Sequence, residues 1–233
     1  MTPLPRRALA EFLGTAFLVA VVVGSGIMAV RLSPHDVGLQ LLENAIATGA
    51  GLVALILAFG SVSGAHFNPV VSLVDWRFGG LAPRELGAYV AAQVTGACAG
   101  CVVANVMFDL PAVDWSTKTR GGSGILVAEV VATVGLLLVI FGTNRTNAKA
   151  TPFAVGAYIA AAYFFTSSTS FANPAVTVGR MFSDTFAGIA PERVPAFVVA
   201  QLVGGAIGLA LIAALFRTVD AADVVVPHPS ESS

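Results

Sequence analysis

Asn-Pro occurs twice in this chain, in FNPV at 67–70 and in ANPA at 172–175, and each time it opens a short apolar stretch. Asn is a preferred helix N-cap, and Pro at the first helical position presets φ and removes an N–H that would have no partner. Such starts normally lie at a surface. Here they lie between long apolar runs, at roughly 8–30, 39–60, 84–107, 125–142, 151–166 and 193–216. A bilayer core of about 30 Å needs about 20 apolar residues to cross it, so these six read as spans. The two Asn-Pro pieces, 68–77 and 173–182, reach about 14 Å at 1.5 Å per residue, half a bilayer. They read as re-entrant half-helices.

Composition supports a membrane chain. The sequence is 56% hydrophobic and only 11% charged, with a mean hydropathy of +0.85. A soluble domain carries about 25% charged residues. The net charge of −1 and the lack of any run of like charge argue against nucleic acid as a partner. Only two cysteines exist, Cys98 and Cys101, in GACAGC inside an apolar run. Metal ligation needs about four donors, so they read as small packing residues. No cofactor, no metal and no enzymatic set is expected: there is no Ser-His-Asp grouping and no glycine-rich phosphate loop followed by Lys. The N-terminal apolar run exceeds the ~7–15 residues of a signal h-region and reads as a retained span.

The chain repeats itself. AEFLGT, NPV and AAQVTGACAG come in order in the first half. AEVVAT, NPA and VAQLVGGAIG come in the same order in the second. We assign residues 1–118 to the first repeat, 119–220 to the second and 221–233 to a disordered tail. Each repeat carries three spans, an odd number, so the second copy enters the membrane upside down. Inverted repeats with broken helices are a device of transport folds. The expected class is an all-α membrane bundle of six spans and two half-helices. Basic residues Arg6, Arg7, Arg77, Arg84, Arg145, Lys149 and Arg217 fall on the side of the termini, against Arg31, Lys118, Arg120, Arg180 and Arg193 on the other; this small excess assigns both termini to the cytoplasm of a cell-membrane protein.

Inversion brings the two half-helix starts together near the midplane. Their macrodipoles make that point electropositive without an ionisable group. If each Asn oxygen caps its own helix, the amide N–H groups of Asn68 and Asn173 are free to donate into a lumen. Glu11 and Glu129 lie near the starts of spans one and four. Each is either an ion relay or an acceptor for re-entrant backbone N–H groups, and their matched placement favours the structural reading. Gln93 and Gln201 open matched QxxGxxxG patterns, whose small residues let helices approach closely. His66 either lines a pore or caps a loop.

These marks together resemble the aquaporin (major intrinsic protein) family. AEFLGT, SGAHFNPV and ANPAVTVG carry the resemblance, which extends from Glu11 to about Phe216. It implies a right-handed bundle, a homotetramer in the lipid bilayer with one pore per subunit, and passive passage of water or small neutral solutes. It also implies Asn68 and Asn173 as pore-centre donors, and places Val70 and Ala175 of the two boxes at the lining. Val70 replaces a usual Ala, a minor change. The family usually has Arg directly after the second box; here Val176 stands there. Family offsets assign Thr48, Ala161 and Ser170 to the rest of the outer constriction, so that none of the four is aromatic or charged. An outer mouth without guanidinium or ring should be wider and less polar. That suits glycerol-like polyols, urea or neutral metalloid hydroxides such as arsenous acid, and NPAVTVGR is similar to a bacterial branch associated with arsenic resistance. Arg180, one helical turn beyond Val176, either contributes to the vestibule or snorkels to the interface. A coupled secondary transporter, or a closed structural membrane protein, are the competing classes.

Overall fold

The computed structural model describes residues 2–216, which are all-helical apart from turns and loops. The expected tail at 221–233 and Arg217 lie outside the described residues. The helices are α1 (Leu4–Leu32), α2 (Val37–Ser63), α3 (Pro69–Arg77), α4 (Pro83–Met107), α5 (Ser123–Asn147), α6 (Thr151–Phe165), α7 (Pro174–Gly179) and α8 (Val194–Leu215). The six long ones start and stop within a few residues of the apolar runs, because their ends continue into polar turns that water can satisfy. Between α5 and α6 there is only a 3-10 turn at Ala148–Ala150. There the chain doubles back, with Tyr158 Oη donating to Ala132 O at 3.0 Å. The span expected at 151–166 is therefore a 15-residue helix, about 22 Å long.

The packing has the symmetry that an inverted duplication requires. α1 lies on α4 as α5 lies on α8, α1 on α2 as α5 on α6, and α2 on its own counterpart α6. Close approach of α4 to α1 rests on Gly100, where a Cβ would stand 2.0 Å from Ala16 O. At the matching α5–α8 contact, a Cβ on Gly204 would stand 2.8 Å from Val130 O. Cys101 is fully buried nearby and both cysteines are free.

The half-helices are held from behind by carboxylates. Residues 64–68 and 169–173 enter the bundle as irregular backbone, tolerable at such depth only if every N–H and C=O is satisfied. Glu11 accepts from the N–H groups of His66 (3.0 Å) and Phe67 (2.7 Å), from Ser63 Oγ (2.6 Å) and from Gln93 Nε2 (2.8 Å). Glu129 accepts from the N–H groups of Phe171 and Ala172, both at 2.9 Å, and from Gln201 Nε2 at 2.6 Å. Each glutamine spends its other N–H on a hydroxyl of the half-helix, Gln93 on Ser72 and Gln201 on Thr177, both at 2.9 Å. All four acid and amide residues are fully buried.

Removing an acceptor here strands several buried donors. At about 1–3 kcal/mol per unsatisfied group, Glu129→Leu, which strands three donors, is expected to cost roughly 3–9 kcal/mol, and Glu129→Gln less, because one oxygen remains. Thermal unfolding in detergent, followed by tryptophan emission, checks the order wild type, Gln, Leu. Equal midpoints for all three would refute the anchoring role.

Candidate pore

Each asparagine caps its own half-helix. Asn68 Oδ1 accepts from Val70 N at 2.9 Å; Asn173 Oδ1 accepts from Ala175 N at 3.0 Å and Val176 N at 3.3 Å. Their amide groups are not wholly free. Asn68 Nδ2 donates to Ala172 O and Asn173 Nδ2 to Phe67 O, both at 2.7 Å. Each box thus bonds the carbonyl just before the other box. Nδ2 carries two hydrogens, so one donor per asparagine remains, not two.

Both asparagines lie on the wall of a cavity of about 490 Å³. Gly60, Ser61 and Lys149 line it towards the end of the bundle that holds the chain's N-terminus. Ser170, Val176 and Arg180 line it towards the far end. In between, Leu18 and Val22 of α1 and Leu136 and Ile140 of α5 supply apolar wall. Polar groups thus come from the re-entrant segments and from Thr48 of α2 and Tyr163 of α6, while α1 and α5 supply hydrocarbon.

Thr48, Ser170 and Val176 are on this wall, as are His66 and Arg180. Ala161 is not. It is exposed on the outside of α6, and the ring of Tyr163 takes its expected place, its Oη 3.1 Å from Thr48 Oγ1. The reason is helical phase: Val155, Ile159 and Tyr163 recur every four residues and face the cavity, whereas two residues back from Tyr163 is about 200° round the helix. The mouth therefore has an aromatic residue. Val70 and Ala175 also leave the lining: both are fully buried, and Val70 packs where α8 has Gly205. One position further along, Val71 and Val176 turn inward. The spans' period could have revealed Tyr163, and the hydroxyl at the same distance after each Asn could have revealed Ser72 and Thr177.

His66 Nδ1 lies 3.0 Å from Ser72 Oγ, and its Nε2 lies 3.8 Å from Asp75 Oδ2. It is both on the wall and tied into the loop. Glu11, Glu129, Gln93 and Gln201 sit behind the re-entrant loops, off the wall. Among the described residues no group of three or more His, Cys, Asp or Glu is placed to hold a metal.

At the far end, Arg180 is buried, its Nε donating to Ala187 O and its guanidinium carbon 3.5 Å from the centroid of Phe171. The loop between α4 and α5 crosses here. Its Arg120 donates to Gly188 O at 2.8 Å and Lys118 to Phe186 O at 2.6 Å. Burial and the two guanidinium charges push the Lys118 ammonium down to about 8. Ser170 Oγ is buried without a hydrogen-bond partner among the described residues.

The sequence matches the major intrinsic protein family over residues 2–170 and 144–232. It is 53% identical over 209 residues to aquaglyceroporin AqpS of Rhizobium meliloti (strain 1021), covering 90% of this chain and 89% of that protein. It is 31% identical over 217 residues to aquaporin Z of Brucella melitensis biotype 1, covering 85% and 92%. The fold is similar to the X-ray structure of the aquaglyceroporin from Plasmodium falciparum, with a TM-score of 0.70 at 20% identity over 90% of this chain and 96% of that one. With matched halves, crossed Asn-Pro boxes and a cavity along their axis, the chain belongs to the major intrinsic protein family.

Proposed function

We propose that the protein is a passive membrane channel for water and small uncharged solutes, with the unspent amide hydrogens of Asn68 and Asn173 as its pore-centre donors. The observation that carries this is one cavity with both asparagines on its wall, polar groups of the re-entrant segments beside them and aliphatic side chains of α1 and α5 across from them. A solute with several hydroxyls can exchange its water for the donors and acceptors of that side while its carbons pass the aliphatic wall. Coupled transport needs an ionisable group at the binding site. Glu11 and Glu129 are fully committed to backbone and glutamine donors behind the loops, which favours the passive reading.

The outer mouth suits solutes larger than water. Val176 places an isopropyl group where the family usually has a guanidinium, and Thr48, Ser170 and Tyr163 contribute hydroxyls around it. Glycerol-like polyols and neutral metalloid hydroxides such as arsenous acid have the size and the hydroxyls for such a ring. The name aquaglyceroporin borne by the 53% identical relative supports the glycerol part. The molecule works in the cell membrane as a homotetramer with cytoplasmic termini. Arg6, Arg7, Arg77, Arg84, Arg145 and Lys149 at the N-terminal end of the bundle support the orientation. Exposed apolar side chains such as Leu9, Phe17, Ile46 and Phe153 suit lipid and neighbouring subunits.

In proteoliposomes, glycerol and arsenous acid are expected to enter well above the rate in empty vesicles; exclusion of both with water passing sinks the wide-mouth reading. Val176→Arg narrows the ring, and should lower glycerol swelling about tenfold or more while water flux falls less; unchanged glycerol flux would count against it. A cysteine tag on either terminus should react with an impermeant thiol reagent only after the cell membrane is opened. Labelling of intact cells would invert the topology.

A further inference from the structure

A buried arginine, Arg180, and a half-buried one, Arg120, meet at one ring at the far end of the cavity. The guanidinium carbon of Arg180 is 3.5 Å and that of Arg120 5.0 Å from the Phe171 centroid. Like charges this close repel, and burial adds a desolvation cost. Neither arginine has a carboxylate within ion-pair distance among the described residues. Besides the field of the Glu129 carboxylate nearby, their compensation is a frame of neutral acceptors. Arg180 Nε is tied to Ala187 O, Arg120 Nε to Gly188 O and Arg120 Nη2 to Phe186 O. The ring itself is fixed: its backbone N–H is held by Glu129, and it stacks edge-on against Phe197 at 5.1 Å. Among the described residues no hydrogen-bond partner meets the Nη groups of Arg180, and the residue is on the cavity wall. A guanidinium so tethered presents its charge and free donors to whatever passes.

Resting on the passive-channel reading, we propose that Arg180 is the charge-selecting residue of the outer mouth and that Arg120, on the α4–α5 loop, is its positioning residue through Phe171. Cations, protons included, meet this charge before they reach the asparagines. Neutral solutes are offered its Nη donors instead. The guanidinium missing at Val176 is supplied from one turn further out, by a segment that the ring and the loop lock in place.

Vesicles with an entrapped pH-sensitive dye and an imposed potassium diffusion potential read passive proton and potassium leak. Glycerol swelling of the same vesicles reads neutral flux. Arg180→Leu should raise the ratio of cation leak to glycerol flux about tenfold or more, and Arg180→Lys should stay near wild type. Arg120→Gln should raise leak about threefold to fivefold, and Arg120→Lys should restore it. In the double variant Val176→Arg/Arg180→Leu, leak should return to the wild-type level while glycerol flux falls. Wild-type leak in Arg180→Leu vesicles that still swell in glycerol overturns the proposal. If Arg180→Leu does not assemble, Arg180→Gln is read in the same way, and its wild-type leak overturns the proposal as well. Absence of glycerol swelling in wild-type vesicles would refute the channel reading instead, and is seen in a separate channel of the same measurement.

Discussion

Everything in this fold answers to the crossed hydrogen bonds between Asn68 and Ala172 O and between Asn173 and Phe67 O. Two helix starts inside a hydrocarbon slab bring with them unpaired N–H and C=O groups that water cannot reach. The asparagines settle both needs with one side chain each: the oxygen caps the helix behind, the nitrogen satisfies the carbonyl opposite. The rest of the loop is shaped to the same end. Ala65, Phe67, Ser170 and Ala172 all adopt left-handed φ values between 48° and 51°, at matching distances before each Asn. Such conformations cost about 1–3 kcal/mol each in non-glycine residues. They persist because they aim successive N–H groups at Glu11 or Glu129 and leave the carbonyls facing the other way.

Much of this architecture is legible in sequence because its causes are local or duplicated. Apolar runs mark the spans. Asn-Pro is a helix start wherever it occurs, and its second appearance in an odd-span repeat forces inversion. Glu11 with Gln93 and Glu129 with Gln201 are recognisable as matched pairs. Their partners, the N–H groups of four loop residues, follow only once the left-handed backbone is known.

What was not legible lies where residue counting loses phase. From α6 to the second box the chain passes TSSTS, and Thr169 and Ser170 both have positive φ. Neither helical nor extended spacing carries a register across such a stretch, so an offset counted back from Asn173 lands on Ala161 while the wall is lined by Tyr163. The same holds for Arg180. From sequence it is merely one turn past Val176. Its inward position depends on Ala187 O and on a loop from between α4 and α5, contacts made by segments remote in sequence or folded back on themselves.

An arginine directly after the second box would set both width and charge at one level, because the guanidinium is bulky as well as cationic. On the proposed reading the two properties are divided along the pore. Width is set where Val176, Thr48, Ser170 and Tyr163 surround the lumen, and charge is set about 6 Å further out, one helical turn along. A solute at the narrow level meets hydroxyls and one aliphatic side chain, with no charge to desolvate against. Charge exclusion falls with distance far more slowly than steric exclusion does, so moving the cation outward sacrifices little of its barrier and releases the cross-section. A larger neutral molecule and a strict bar to cations are then compatible in one channel. The residues that make them so are a valine at the box and an arginine held against Phe171 beyond it.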